Sequence, residues 1–386
     1  MSSKKIKILQ VTGAMNRGGA EVMLMDIYRH ISSDIHFDFL INYKLKEGIV
    51  KGDFDDEILE KGAKIKHIGT QWDLGPINYI KEFKRILNEI GVPNVIHIHM
   101  NAKSGIIALA AKRVGIKKII VHSHANLKFR GSKFRVLLET VELYFQKIGI
   151  YFFATDYWGA SEEANKSLFY KHLVKNNNTV VINNAVTVQK FQQVTAQQVS
   201  EFRKSLNISN KTLLLGNVGR IVRHKNISFI LEVLKELQAQ KIDFNFIFAG
   251  RIDDAVYMQE IQQKINEFKL TKKVIHLGNR NDVPLIMNAT DVFVAPALKE
   301  GFGLVAVEAQ AAGIPSILYT GFPKSVDMKL NLVTFLDTFE VTKWVSAIVE
   351  AKDKKCTDKN AILNQIKILG FDIVGNTKQL EDLYKS

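Results

Sequence analysis

Residues 292–312 read Val-Phe-Val-Ala-Pro-Ala-Leu-Lys-Glu-Gly-Phe-Gly-Leu-Val-Ala-Val-Glu-Ala-Gln-Ala-Ala, and three kinds of local structure follow one another within them. Val292–Ala295 is a short β-branched and aromatic run, the pattern of a strand buried on both faces. Pro296–Gly303 breaks that run, and Gly301 and Gly303 free the backbone for close approach. From Leu304 to Ala312 the apolar spacing is helical, so the unpaired N–H groups of the first turn point back at the loop and favour an anion there. Glu300 sits in the loop. Glu308 lies about one turn into an otherwise apolar helix face, where a carboxylate is costly unless it accepts hydrogen bonds, as from ribose hydroxyls. Capping or an ion pair would also account for Glu308, but for neither the glycines nor Glu300.

The same strand–loop–helix unit recurs on both sides of this stretch. Upstream in the same half, Thr212–Val218, Phe244–Ala249 and Val274–Leu277 read as strands, with helices over Ile227–Gln240 and Tyr257–Lys269. The first half repeats the alternation: strands over Ile6–Val11, Phe37–Ile41, Val95–Ile98 and Lys118–Val121, helices over Glu21–Ile31, Tyr79–Ile90 and Ser104–Val114. Strands alternating with helices predict parallel sheets covered on both faces. Two such series predict an α/β protein of two doubly wound domains, over residues 1–190 and 205–370, with a polar seam near 185–212. Ligands of open α/β sheets bind beyond the carboxyl ends of the strands. Two domains facing each other would turn that place into a cleft.

Length and composition agree with this division. The chain has 386 residues, 46% hydrophobic and 24% charged, a soluble globular mix that excludes fibrous and disordered classes. No apolar run approaches the roughly 20 residues that span a bilayer. The N-terminal MSSKKIKILQVTG reads as a first strand rather than a signal peptide. The single cysteine, Cys356, can form no internal disulfide, so the expected location is cytoplasmic. Net charge is +14, and residues 1–190 carry 28 basic against 18 acidic groups. Such a surface attracts polyanions, phosphorylated substrates and anionic lipid among them. No basic block interleaved with stacking aromatics points to nucleic acid. Lys128, Arg130, Lys133 and Arg135 precede an apolar-aromatic stretch through Phe145. That segment reads either as a helix lying on a membrane or as an ordinary helix with its apolar face in the core; the coincidence of charge and aromatics favours the first.

Three further features bear chemistry. Asn16-Arg17-Gly18-Gly19 follows the first strand and opens a helix, a place for an anion close to the backbone, although plain turn chemistry would use the same residues. The G-x-G-x-x-G dinucleotide spacing is absent. Gly219-Arg220 ends the first strand of the second series and Lys225 stands at the next helix start; two cations bracketing such a loop suit a diphosphate, and two solvated surface cations are the plain alternative. His97 and His99 end one strand, His122 and His124 the next, so each pair shares a face and the four could converge on a metal.

Glu300 and Glu308 around EGFGLVAVE, with GGAE at 18–21, GR…K at 220–225 and GNRNDV at 278–283 in the same order, resemble retaining glycosyltransferases of family 4, which have the GT-B fold of two Rossmann-like domains. The likeness covers nearly the whole chain and is nearest the capsular and exopolysaccharide branch, where a segment resembles Pro323-Lys324-Ser325-Val326-Asp327. Asn184-Ala185, Thr187 and Lys324 depart from the family pattern, which bears on donor identity. The resemblance implies transfer of a sugar from a nucleotide-diphosphate sugar, UDP-linked, to a lipid-linked glycan at the inner face of the plasma membrane. It implies that Arg220 and Lys225, with backbone N–H groups at Gly303 and Leu304, hold the diphosphate. Glu308 would bind ribose and Glu300 the sugar. Arg280, Asn281 and Val283 would lie at the base; Gly18, Gly19, Gly301 and Phe302 would complete the donor site; Asn16 and Arg17 would face the acceptor. His124 would touch the donor sugar, a simpler account of the histidines than a metal. No cofactor or metal is implied, and the last helix, 375–386, would cross back to the first domain. A catalytically silent scaffold of the same fold and a nucleotide-sugar epimerase are the alternatives.

Overall fold

The computed structural model describes residues 5–124, 127 and 132–386. Two compact units divide the chain: residues 1–184 with 373–386, and residues 185–372. The first is built on a seven-stranded sheet of β1 (Ile6–Thr12), β2 (Ile35–Tyr43), β3 (Ile65–Gly69), β4 (Val95–Ile98), β5 (Lys118–Ser123), β6 (Asp156–Gly159) and β7 (Thr179–Val181), in the order β3-β2-β1-β4-β5-β6-β7. The second holds β8 (Leu213–Val218), β9 (Phe244–Ala249), β10 (Val274–His276), β11 (Val292–Ala295), β12 (Ser316–Tyr319) and β13 (Val333–Leu336), in the order β10-β9-β8-β11-β12-β13. Every pairing is parallel, with Ile6 opposite Ile35 and Leu213 opposite Phe244 at corresponding places in the two sheets.

The chemistry of the strands explains the pairing. Ile8, Leu9 and Val11 of β1 are buried on both faces, and Phe246, Ile247 and Phe248 do the same in β9. Such runs need helices above and below, and the intervening helices supply them. Ile230, Leu231, Leu234 and Leu237 of the Ile227–Ala239 helix fill the core over β8 and β9. Side-chain caps fix helix starts: Ser132, Ser161 and Asp254 each accept a backbone N–H, and Thr195 with Gln198 forms a capping box. The Gln71–Ile90 helix is kinked at Gly75, φ 70°, before Pro76, which is why apolar spacing alone begins it at Tyr79.

Strand order reverses direction between β1 and β4, and again between β8 and β11. At such a point the loops leaving adjacent strands part to opposite faces and open a crevice at their carboxyl ends. The Asn16–Gly19 loop leaves β1 and His99 follows β4. In the second unit, Gly219-Arg220 leaves β8 and Pro296–Gly303 leaves β11.

Two expectations need correction. Residues 185–204, divided between the first domain and a seam, belong to the second unit: Val186, Val188 and Phe191 are buried with Phe302 and Phe371, and Phe202 packs with Leu214 and Ile286. The polar composition there reflects only the outer faces of two short helices. β3, β6, β7, β12 and β13 are absent from the sequence reading; all are three to five residues long, and β6, β7 and β13 are only partly buried, too little for periodicity to register.

Candidate active site

The second unit gathers the sequence-predicted cations and carboxylates where β8 and β11 end. After Val222, a short 3₁₀ turn at Arg223–Lys225 leads to Asn226 in the left-handed conformation, φ 58°, and this reversal swings Lys225 back towards the strand it left. A Cβ added at Gly219 would lie 3.4 Å from Lys225 Nζ. The Leu298 amide donates to His224 O at 2.8 Å, which ties the loop after β11 to the loop after β8. Glu300 N donates to Gly321 O at 3.0 Å, and the Glu300 carboxylate forms an ion pair with Lys225. The side chains of Lys225 and Glu300 are only 16% and 10% exposed. Burial, with Lys225 next in effect, lowers the pKa of the adjacent His224.

Glycine is required here by contact as well as by φ. Gly303 caps the Leu304–Ala311 helix at φ 85°, and a Cβ on it would come within 2.5 Å of the Phe322 ring. A Cβ on Gly250 would lie 1.8 Å from Gly219 O, so the loops after β8 and β9 touch backbone to backbone. On that shared support Arg220 pairs with Asp253 at 3.1 Å and remains 48% exposed. Arg251 above all, and Arg220 after it, hold the Asp253 carboxyl below its ordinary range. Arg220, Lys225, Glu300 and the Gly303 helix start therefore share one crevice edge, and Glu308 is half-buried on the same helix.

Other expected donor residues sit nearby or elsewhere. Arg280 forms a bidentate pair with Asp282, Asn281 is exposed, and Val283 begins a helix at the end of the β10 loop. Gly301 is exposed. Phe302 is a correction: its ring stacks on Phe371 at 5.2 Å within the core. The Leu304 side chain is likewise core.

Asn16, Arg17, Gly18, Gly19 and His124 belong to the first unit. The loop after β1 is clipped down: Arg17 N donates to Asp53 Oδ2 at 3.0 Å and Asp53 N to Asn16 Oδ1 at 3.3 Å. The four histidines stand together behind it. His97 Nε2 pairs with His122 Nδ1 at 3.1 Å, and His99 Nδ1 with His124 Nε2 at 2.7 Å. Nitrogens of His97, His99 and His122 lie within 4.8 Å of one another, near enough for one ion, yet all of their ring nitrogens except His122 Nε2 are already in hydrogen bonds. Gln10 and Tyr384, at the other edge of the group, escaped sequence reading because neither stands in a motif.

Lys133 and Arg135 lie in the first turn of the Lys133–Phe153 helix, both exposed, and Arg135 pairs with Glu139. Lys128 and Arg130 lie outside the described residues. The helix meets the core-helix reading only in part, with Ile150 in the core and Leu143 and Phe153 packed against it. Only Gln146 and Ile150 of the helix are buried, while Phe134, Leu137, Leu138, Val141, Tyr144 and Phe145 are exposed, Phe145 by 66%. No described helix is long and apolar enough to cross a membrane.

Comparison with known proteins places this geometry. Residues 198–364 match the family model "Glycosyl transferases group 1". The chain carries a group 1 glycosyltransferase domain. The whole chain is similar to EpsF of Bacillus subtilis (strain 168), 29% identical over 386 residues, spanning 100% of this chain and 97% of that one. It is 27% identical over 306 residues, 75% of each chain, to the Escherichia coli UDP-Gal:alpha-D-GlcNAc-diphosphoundecaprenol alpha-1,3-galactosyltransferase. Among solved structures, Anabaena HepE in complex with UDP superposes with a TM-score of 0.77 at 20% identity, covering 98% of this chain and 100% of that one. The fold is GT-B. The glycosyltransferase domain thus contains the whole Arg220–Lys225–Glu300–Glu308 set.

The histidine group makes the fold acid-sensitive. Burial holds His97, His99 and His122 well below their ordinary pKa and His124 down to about 4. The unfolded chain takes up protons below about pH 6.5 while the folded chain does not, so stability is unaffected above that pH and falls beneath it. Thermal melts should be flat from pH 7 to 8 and drop steeply from 6.5 towards 4, by up to about 1.4 kcal/mol per histidine per pH unit. Replacing His97 and His122 by glutamine should flatten that slope.

Proposed function

We propose that the enzyme moves a sugar from a UDP-sugar to a lipid-linked glycan, with retention of anomeric configuration, in surface-polysaccharide synthesis. The observation that carries this reading is the buried Lys225–Glu300 pair at the carboxyl end of β8 and β11, beside a helix start. A lysine held by a carboxylate in a crevice that also presents free backbone N–H groups is a site arranged for an anion. The UDP bound in HepE and the UDP-Gal and diphosphoundecaprenol in the name of the Escherichia coli relative support donor and acceptor class.

In the reaction the bond from the anomeric carbon to the β-phosphate oxygen breaks, and its electron pair leaves with the diphosphate. The acceptor hydroxyl oxygen bonds to the same face of the anomeric carbon, and its proton passes to the departing phosphate oxygen. Negative charge grows on the leaving group. Arg220 as a planar fork, Lys225 as a point charge and the helix start at Gly303 would stabilise it, so transfer is expected to continue with divalent ions chelated. Glu300 would exchange its lysine for sugar hydroxyls, Glu308 would bind ribose, and His124 would contact the sugar. On this reading the enzyme works in the cytoplasm at the inner face of the plasma membrane. The Lys133–Phe153 helix would lay its aromatic face into the headgroup region, with Lys133, Arg135 and Lys147 at its flanks.

Arg220→Ala and Lys225→Ala should each slow transfer by roughly 10²–10³, as for loss of one preorganised donor; near-normal turnover in both would remove the assignment. Glu300→Gln releases Lys225 from its carboxylate and should tighten UDP binding about tenfold, on the order of one lost competing interaction, while slowing transfer. Calorimetric titration with UDP reads the first effect and product NMR, which also reports the anomer, the second. In vesicle flotation the protein should rise with phosphatidylglycerol-containing liposomes, and Leu138→Glu with Phe145→Glu should leave it at the bottom of the gradient. Equal recovery of both proteins would count against the membrane surface.

A further inference from the structure

Six side chains in the first unit form one unbroken line of hydrogen bonds. His122 Nδ1 meets His97 Nε2 at 3.1 Å; His97 Nδ1 meets the Tyr384 hydroxyl at 2.6 Å; Tyr384 meets Gln10 Nε2 at 3.4 Å. Gln10 Oε1 meets His99 Nε2 at 2.8 Å, and His99 Nδ1 meets His124 Nε2 at 2.7 Å. The line has two ends, His122 Nε2 and His124 Nδ1, and both are buried without a partner among the described residues. Burial keeps all four rings neutral. A neutral imidazole has one donor and one acceptor nitrogen, so each ring passes the direction of its bond to the next.

The direction is set at Gln10, the one member whose donor and acceptor ends are chemically distinct. Gln10 Oε1 can only accept, so His99 carries its proton on Nε2 and offers a bare Nδ1; His124 Nε2–H then donates to it, and His124 Nδ1 is left bare. On the other side Gln10 Nε2–H donates to Tyr384, whose hydroxyl has one remaining acceptor, His97 Nδ1. His97 Nε2–H then donates to His122 Nδ1, and His122 ends the line as an Nε2–H donor. We propose that Gln10 and Tyr384 are positioning residues that hold all four histidines in the Nε2-protonated tautomer, so that His124 presents an unprotonated Nδ1 to accept a hydrogen bond from a hydroxyl of the sugar substrate. The last clause rests on the glycosyl-transfer reading; the tautomers do not. A metal in the group would have to take lone pairs that already receive these bonds.

Gln10 orders both branches and Tyr384 only its own, and that separates positioning from mere packing. In full-length protein labelled with ¹⁵N-histidine, long-range ¹H–¹⁵N spectra at pH 7.5 should show four neutral rings protonated on Nε2. Gln10→Met, close in volume, should leave all four rings as tautomer mixtures. Tyr384→Phe should do this to His97 and His122 alone, with His99 and His124 unchanged. Gln10→Met should lower transfer from UDP-glucose or UDP-galactose about tenfold, the scale of one neutral hydrogen bond. UDP-glucose, but not UDP, should shift the His124 Nδ1 resonance.

Rings protonated on Nδ1, or tautomers averaged in the wild type, would overturn the proposal even if neither variant folds. Identical spectra in both variants would overturn it as well. An unmoved His124 Nδ1 with UDP-glucose bound would overturn the hydroxyl contact. If thermal shift finds that neither UDP nor UDP-sugar binds, the glycosyl-transfer reading fails and the wild-type spectrum still decides the tautomers.

Discussion

Strands buried on both faces can keep polar side chains only where the strands stop or where each polar atom finds a partner, and both units of this protein are organised by that constraint. The interior of each sheet is mainly apolar, interrupted in the first by Gln10, Asp38, His97, His122 and Ser123. Function is therefore pressed to the carboxyl ends, and within them to the places beside β1 and β4, and beside β8 and β11, where neighbouring connections diverge. Lys225 and Glu300, 75 residues apart in sequence, meet because the two loops leaving adjacent strands are tied by the Leu298–His224 backbone bond.

The two units meet the cost of polar burial differently. In the second, Lys225 and Glu300 neutralise each other while Arg220 stays nearer water with Asp253. Breaking a buried pair by removing one partner leaves an unpaired charge, a penalty of about 3–5 kcal/mol. On the proposed function, a diphosphate replacing the carboxylate would avoid that penalty. In the first unit the histidine line carries no charge. Four imidazoles stay neutral and spend their polarity on one another, which is tolerable only while the line of bonds remains complete.

Much of this was legible in the sequence, and the part that was not has a common cause. The strand–helix alternation predicted both sheets, and EGFGLVAVE with GR…K singled out two loops that the structure brings together, because those signals are local and repeated. The five short strands escaped because three to five residues give period-two patterning too little room, and 185–204 escaped because composition reports a helix's outer face as readily as a linker. Phe302 was misassigned for a subtler reason. A motif lists residues in order without saying which way each side chain turns, and the Phe302 ring turns into the core. The Lys133–Phe153 helix shows the converse: its sequence allowed a core face or an exposed one, and only the structure shows that its aromatic side is left uncovered.

Gln10 and Tyr384 mark the limit of reading along the chain. Tyr384 lies 287 residues beyond His97, in the Ile373–Lys385 helix that returns to the first unit after the whole of the second. There it packs edge-on against Phe37, lies 5.7 Å from Trp158, and gives its hydroxyl to His97; Lys118 and the Ser32 amide hold the same helix through Leu383 O and Glu381. Without that helix, His97 would face either water or an apolar gap, and a bare imidazole nitrogen in such a gap costs about 1–3 kcal/mol. The returning helix is thus more than a lid on an apolar surface. It supplies the one hydroxyl that gives half of the histidine line its direction, and no pattern local to residues 373–385 carries that information.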